Sequence, residues 1–155
     1  MQRGSYSFAG IKLVKLNKDK VIKQIIDGLK NLKGVLCAVL FGSIANDQYT
    51  GLSDADVLLI IEENLSPNER YRRYNRINAD VDVQLFIFTL DEVMSRIDIG
   101  DTFIINMIVT GKPLLGDELY KTLMEQCRKA IKRYGLKRIS IGWQRVRKDN
   151  SSRNE

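Results

Sequence analysis

The sequence of 155 residues predicts an α/β (or α+β) fold, a small mixed β-sheet of about four strands flanked by helices. Three observations carry that reading. The runs Val35–Phe41 and Val57–Ile61 are wholly apolar, of strand length and rich in β-branched residues, as strands covered on both faces are. Between and around such runs, apolar residues recur at helical spacing, as at Val21, Ile22, Ile25, Ile26, Leu29 and Leu32. Ser66 to Glu69 and Thr89 to Glu92 each set a hydroxyl three residues ahead of a glutamate, the capping-box signature of a helix start.

Taken in order, Tyr6 to Leu16 alternates loosely and reads as a strand or an arm. Asn17 is a good N-cap for an amphipathic helix that stops at Gly34. The strand Val35–Phe41 runs into the pair Gly42-Ser43 and a short polar segment, and a second strand spans Ala55–Ile61. Ser66-Pro67-Asn68-Glu69, with its first-turn proline, opens a polar helix to about Asn78. Asp80 to Phe88 alternates polar and apolar before turning wholly apolar, the pattern of a third strand whose near end faces solvent or a site. Thr89 caps a helix through about Ile97, and Thr102 to Val109 forms a further turn or helix. After the break Gly111-Lys112-Pro113, Leu114-Leu115 adds a short strand, and Gly116-Asp117 leads into a helix to about Tyr134. Residues 1–135 are therefore expected to form one domain and residues 136–155 a basic, flexible tail, with Trp143 docking back on the body or on a partner.

Hydrophobic residues make up 44% and charged residues 28%, ordinary values for a globular protein. No apolar run approaches the ~20 residues of a membrane span, and residues 1–5 lack the apolar core of a secretory signal, so a cytoplasmic protein is expected. Cys37 and Cys127 fall in a predicted strand and a predicted helix and read as reduced packing residues. The chain has no histidine, which excludes imidazole catalysis, a serine-histidine triad and any histidine metal site. The net charge of +6 is unevenly placed: residues 128–155 hold 10 basic against 2 acidic residues, while residues 1–127 hold 15 against 17. Such a basic end suits a nucleic acid, an acidic partner or a nucleotide's outer phosphates, or is simply a solvated helix face.

The chemistry-bearing residues cluster around the second strand. Gly42 permits close approach of a ligand to the backbone, and Asp54 and Asp56, two apart at a strand entry, leave the same face. Like charges forced together raise each other's pKa, so a fold that pairs carboxylates ordinarily supplies a cation. Magnesium fits, because it takes hard oxygens and is commonly held by one or two carboxylates plus substrate phosphates. A further acid comes from the third strand, Asp82, with Asp80 able to assist it, replace it or merely open the strand. Tyr71 and Tyr74 among Arg70, Arg72, Arg73 and Arg76 read as a base-stacking surface or as a solvated face with one buried tyrosine edge.

Gly42-Ser43, then Ser53-Asp54-Ala55-Asp56 after about ten residues, then Asp82, resembles the pattern of the nucleotidyltransferase superfamily typified by DNA polymerase beta and the kanamycin nucleotidyltransferases. The resemblance spans about Asn17 to Tyr134 and is closest to the minimal members of archaea and bacteria. These are often paired with a helical partner protein, in some cases as toxin and antitoxin. It implies the nucleotidyltransferase fold, two Mg2+ ions held by Asp54, Asp56 and Asp82, and a triphosphate held by Gly42, Ser43 and nearby N–H groups. It also implies transfer of a nucleoside monophosphate, AMP from ATP, to an acceptor hydroxyl, with a partner protein as acceptor or scaffold. Self-association is compatible with it, and nucleic acid at the basic tail is the less favoured partner. Many relatives carry basic residues where Ile44 and Asn46 stand here, so phosphate affinity is expected either to be weaker or to be supplied elsewhere, by Lys112 or by Arg128, Lys132 and Arg133. The alternative is a catalytically degenerate module of the same fold that binds a nucleotide or a partner without transfer.

Overall fold

A computed structural model describes residues 16–51 and 53–146 in full, with the backbone of 6–8 and 11–13. In chain order the elements are β1 (Tyr6–Phe8), β2 (Ile11–Leu13), α1 (Lys18–Lys30), β3 (Val35–Phe41), α2 (Gly42–Ala45), β4 (Ala55–Ile61), α3 (Pro67–Tyr74), β5 (Val83–Thr89), α4 (Leu90–Asp98), α5 (Thr102–Thr110), β6 (Lys112–Leu115), α6 (Asp117–Tyr134), β7 (Leu136–Ile139) and β8 (Gly142–Arg145). The central sheet has four strands in the order β5-β4-β3-β6. It is mixed: β4 runs parallel to β5, and β3 runs antiparallel to both β4 and β6. The predicted class is therefore the observed one.

The wholly apolar strands are explained by burial on two faces. On one side Phe41, Leu58 and Ile60 pack with side chains of α4, α5 and α6, including Ile97, Ile104, Ile108 and Leu123. On the other, Leu40, Val57 and Leu59 pack with Val21, Ile25 and Leu29 of α1, Ile44 of α2 and Tyr74 of α3. Residues two apart on a strand share a face, so the odd and even positions of β4 serve two different cores. Each fully buried leucine or isoleucine contributes about 1.5–3 kcal/mol relative to exposure. Cys37 and Cys127 are unpaired and buried in the first of these cores, where burial pushes the thiols up to about 11 and about 12. They are packing residues, held far from the reactive thiolate form.

The predicted caps form as drawn. Asn17 accepts from the Lys20 N–H at 3.1 Å, Ser66 from the Glu69 N–H at 3.3 Å, and Thr89 and Glu92 make the reciprocal capping box. One expectation is corrected at the C-terminal side, and Trp143 takes the first of its two expected placements. Residues 136–145, assigned to a flexible tail, form the β7-β8 hairpin, because Leu136 and Trp143 have apolar surface to cover and pack on the core. Trp143 donates its Nε1–H to Asn106 Oδ1 of α5 at 3.0 Å, which settles it against the body. The rest of the tail, residues 147–155, lies outside the described residues. Among the described residues no helix is long and apolar enough to cross a membrane.

Arg70 of α3 ties three segments together. It donates to the carbonyls of Leu65 (2.8 Å) and Ile87 (3.3 Å) and to Asn64 Oδ1 (3.1 Å), and pairs with Glu92 Oε1 at 2.7 Å. Burial pushes the Glu92 carboxyl up, but hydrogen bonds from Arg70 and Thr89 outweigh it and hold the pKa below the usual glutamate value. A carboxyl so depressed contributes stability above its unfolded pKa and loses it as pH falls through the folded one. Arg70→Met should therefore cost about 2 kcal/mol at pH 7, with the gap to the parent narrowing as pH drops below the ordinary glutamate range, read by urea denaturation across pH.

Candidate active site

The site forms where β3 ends and β4 begins. Phe41 and Asp56 are direct partners in the antiparallel register, so the chain leaving β3 at Gly42 passes beside the Asp56 side chain. Gly42 has φ +80°, and a Cβ there would fall 2.6 Å from Asp56 Oδ2. Both facts demand glycine: an L side chain is strained at that φ and would strike the carboxylate. The turn is braced by Asn46, whose side-chain amide donates to the Gly42 carbonyl at 2.9 Å, and by the Gln48 N–H donating to the Ser43 carbonyl at 2.9 Å. Ser43 is half-buried in the first turn of the four-residue α2.

Asp56 is half-buried, and burial raises its pKa, with the nearby charge of Asp54 raising it further. Asp54, itself exposed, is near enough for its charge to act on Asp56. Ala55 N–H donates to the Asp82 carbonyl at 2.9 Å, and Ala55 pairs with Val83, which sets Asp82 alongside Asp54 at the open end of the parallel pair. Asp54 and Asp82 line one cavity of about 710 Å³. Among the described residues, however, no group of three acidic side chains converges closely enough to form a preformed metal cage.

Asp80 is turned away from this cavity. It pairs with Lys20 of α1 at 3.0 Å, and the Gln24 side chain both donates to its carboxylate (3.2 Å) and accepts its N–H (2.9 Å). Strand alternation does not carry back from Asp82 to Asp80, because β5 begins only at Val83. Of the cations proposed from sequence, Lys112 lies at this end of the sheet, paired with Leu40 in register and beside the Lys18–Asp47 ion pair. Arg128 and Arg133 are engaged elsewhere, with Glu125 and Asp98. Ile44 is fully buried and Asn46 braces the turn, so neither position offers a cation. Lys18, invisible to motif reasoning because it lies in α1, joins this corner through its ion pair with Asp47.

Residues 23–118 match the family model described as polymerase beta, nucleotidyltransferase. A search of curated proteins gave no match. Among solved structures, the chain is similar to a toxin–antitoxin pair with AMP-PNP, at 23% identity over 77% of this chain and 88% of that one, with a TM-score of 0.49. It is also similar to the MntA-HepT toxin–antitoxin, at 21% identity over 76% and 84% with a TM-score of 0.43. A third is a tri-AMPylated Shewanella oneidensis HEPN toxin in complex with MNT antitoxin, at 20% identity over 76% and 83% with a TM-score of 0.40.

Gly42→Ala is expected to destabilise the protein by about 2 kcal/mol or more, from strain at positive φ plus the clash with Asp56. Combining it with Asp56→Ala should recover part of that loss, because one change removes the atom the other collides with; a double-mutant cycle in denaturant reads the coupling.

Proposed function

The chain belongs to the polymerase beta nucleotidyltransferase family, and from that premise we propose that it transfers AMP from ATP to a hydroxyl of a partner protein, in the setting of a toxin–antitoxin pair. The observation that carries the reading is a half-buried Asp56 set against a glycine held at positive φ, with the charge of Asp54 acting on it. A carboxylate half-buried within reach of a second negative charge costs stability, and no packing or hydrogen-bonding need of β4 calls for both.

The donor set fits magnesium, which takes carboxylate oxygens and lets substrate phosphates complete its shell. That fit does not need a preformed three-acid cage. Asp54, Asp56 and Asp82 would hold two ions, which would supply Lewis acidity at the acceptor oxygen and neutralise charge on the phosphates. The chain's own groups do the positioning. The bare Gly42 backbone allows a phosphate to approach where a side chain would stand, and Ser43 with neighbouring N–H groups binds the triphosphate. Lys112 is the cation we assign to its outer phosphates. The acceptor oxygen forms a bond to the α-phosphorus and pyrophosphate leaves with the electrons of the broken bond. The hydroxyl proton passes to an exposed carboxylate, Asp82 in our assignment, and on to water.

A second reading, a degenerate binding module, is favoured by one observation: Ile44 and Asn46 serve the core and the turn instead of the phosphates. Labelled ATP with magnesium, with and without the protein of the adjacent reading frame, separates the two. Loss of an outer-shell group around a metal costs about 10–100-fold, so Asp56→Asn should reduce pyrophosphate release by more than about a hundredfold. In metal-free buffer the same variant should raise Tm by about 2 °C, since it relieves the crowding. ATP binding without turnover in the parent, unchanged by Asp56→Asn, would leave the binding module as the function.

A further inference from the structure

One half of the outer edge of β5 is closed and the other half is open. Since Asp82 directs its carbonyl toward β4, alternation along the strand turns the N–H and C=O of Val83, Leu85 and Ile87 to the outer side. The Ile87 carbonyl confirms the geometry, because it accepts from Arg70, which blocks that end of the edge. Among the described residues nothing hydrogen-bonds the outward groups of Val83 and Leu85. Both residues line the cavity of about 710 Å³ that also holds Asp54 and Asp82. An uncovered strand edge is a template for pairing, and folded proteins ordinarily blunt it with charge, a bulge or a cover.

We propose that this open edge docks an extended segment of a partner polypeptide, which adds as a strand beside Val83 to Leu85 and carries the acceptor hydroxyl to Asp54 and Asp82. The proposal rests on the transfer reading above and names its acceptor. A strand advances about 3.3 Å per residue, and Asp82 immediately precedes Val83. A residue one step beyond the paired register therefore reaches the acids.

The rim states the chemistry of the occupant. Arg76 lines the cavity, is exposed and has no acidic partner among the described residues, whereas Arg70, Arg72 and Arg73 are each paired. The segment accordingly carries an acidic residue near its hydroxyl. Tyr71, 66% exposed on the same rim, offers the segment a flat apolar contact. Main-chain bonds give such strand addition its affinity, while alternate side chains give its specificity. As in the transfer step, the segment's hydroxyl oxygen gains the bond to the α-phosphorus, pyrophosphate departs with the bonding electrons, and the proton leaves through a carboxylate to water.

The test uses the full chain, magnesium, labelled ATP, and a randomised peptide library with one central tyrosine, set against tyramine and a short RNA. Peptides with an acidic residue near the tyrosine should be modified in preference to tyramine, and the Val83 and Leu85 amides of the parent should gain protection from hydrogen exchange on peptide addition. Proline is tolerated at an edge position whose N–H points outward, so Leu85→Pro should lower the peptide-over-tyramine preference by about five- to tenfold. Arg76→Glu should invert the preference for acidic peptides. Protection without transfer would uphold docking and sink the transfer reading. Transfer to peptides with no protection and no effect of either variant would sink docking alone, whereas modification of the RNA end in place of peptide would sink docking and the protein acceptor together.

Discussion

The contact between the backbone of Gly42 and the carboxylate of Asp56 is the constraint from which the rest of the site follows. It requires positive φ, which excludes other residues at reasonable strain, and it requires that no Cβ stand between β3 and β4. Given those two conditions, the chain leaves the sheet sharply enough for Ile44 and Ala45 to fall into the core beneath it. The following loop returns Asp54 and Asp56 to the same corner. Asp56, placed there, is partly desolvated and feels the charge of Asp54. The two cores on either side of the sheet supply the stability that makes such a corner tolerable.

What was legible in the sequence was whatever depends on neighbours along the chain. The apolar runs of β3 and β4 and the capping residues Asn17, Ser66 and Thr89 are all local, and the structure has them. What was not legible depends on contacts distant in sequence. Asp80 looks like a partner of Asp82 until Gln24 and Lys20, on another element, take it. The β7-β8 hairpin looks polar until Trp143 finds Asn106. Lys18 carries no motif, and only the fold brings it to Asp47.

The sheet is closed asymmetrically, and that asymmetry matches the division of labour proposed for it. At the β3-β6 side, Lys112 and Lys18 gather near the glycine turn, suited to phosphate. At the β5 side the strand edge is capped by Arg70 only as far as Ile87, leaving the stretch next to Asp82 free. A nucleotide and an acceptor that approach from opposite sides of the same acids need not displace one another. That arrangement follows from strand order alone, since β4, which carries Asp56, is interior and is flanked by the glycine strand on one side and the edge strand on the other.

The departure at Ile44 and Asn46 bears on rate more than on reaction class. Cations near a triphosphate strengthen binding and stabilise charge, but in-line displacement depends first on positioning and on charge placed at the reacting oxygens. Ile44 and Asn46 are not idle in exchange: one fills the core under α2 and the other holds the Gly42 carbonyl. A chain that had lost its chemistry would have no physical reason to keep Asp56 half-buried against Asp54, because neutral or apolar replacements at β4 would relieve repulsion and pack the same face. A half-buried Asp56 under the charge of Asp54 therefore weighs toward a transfer site.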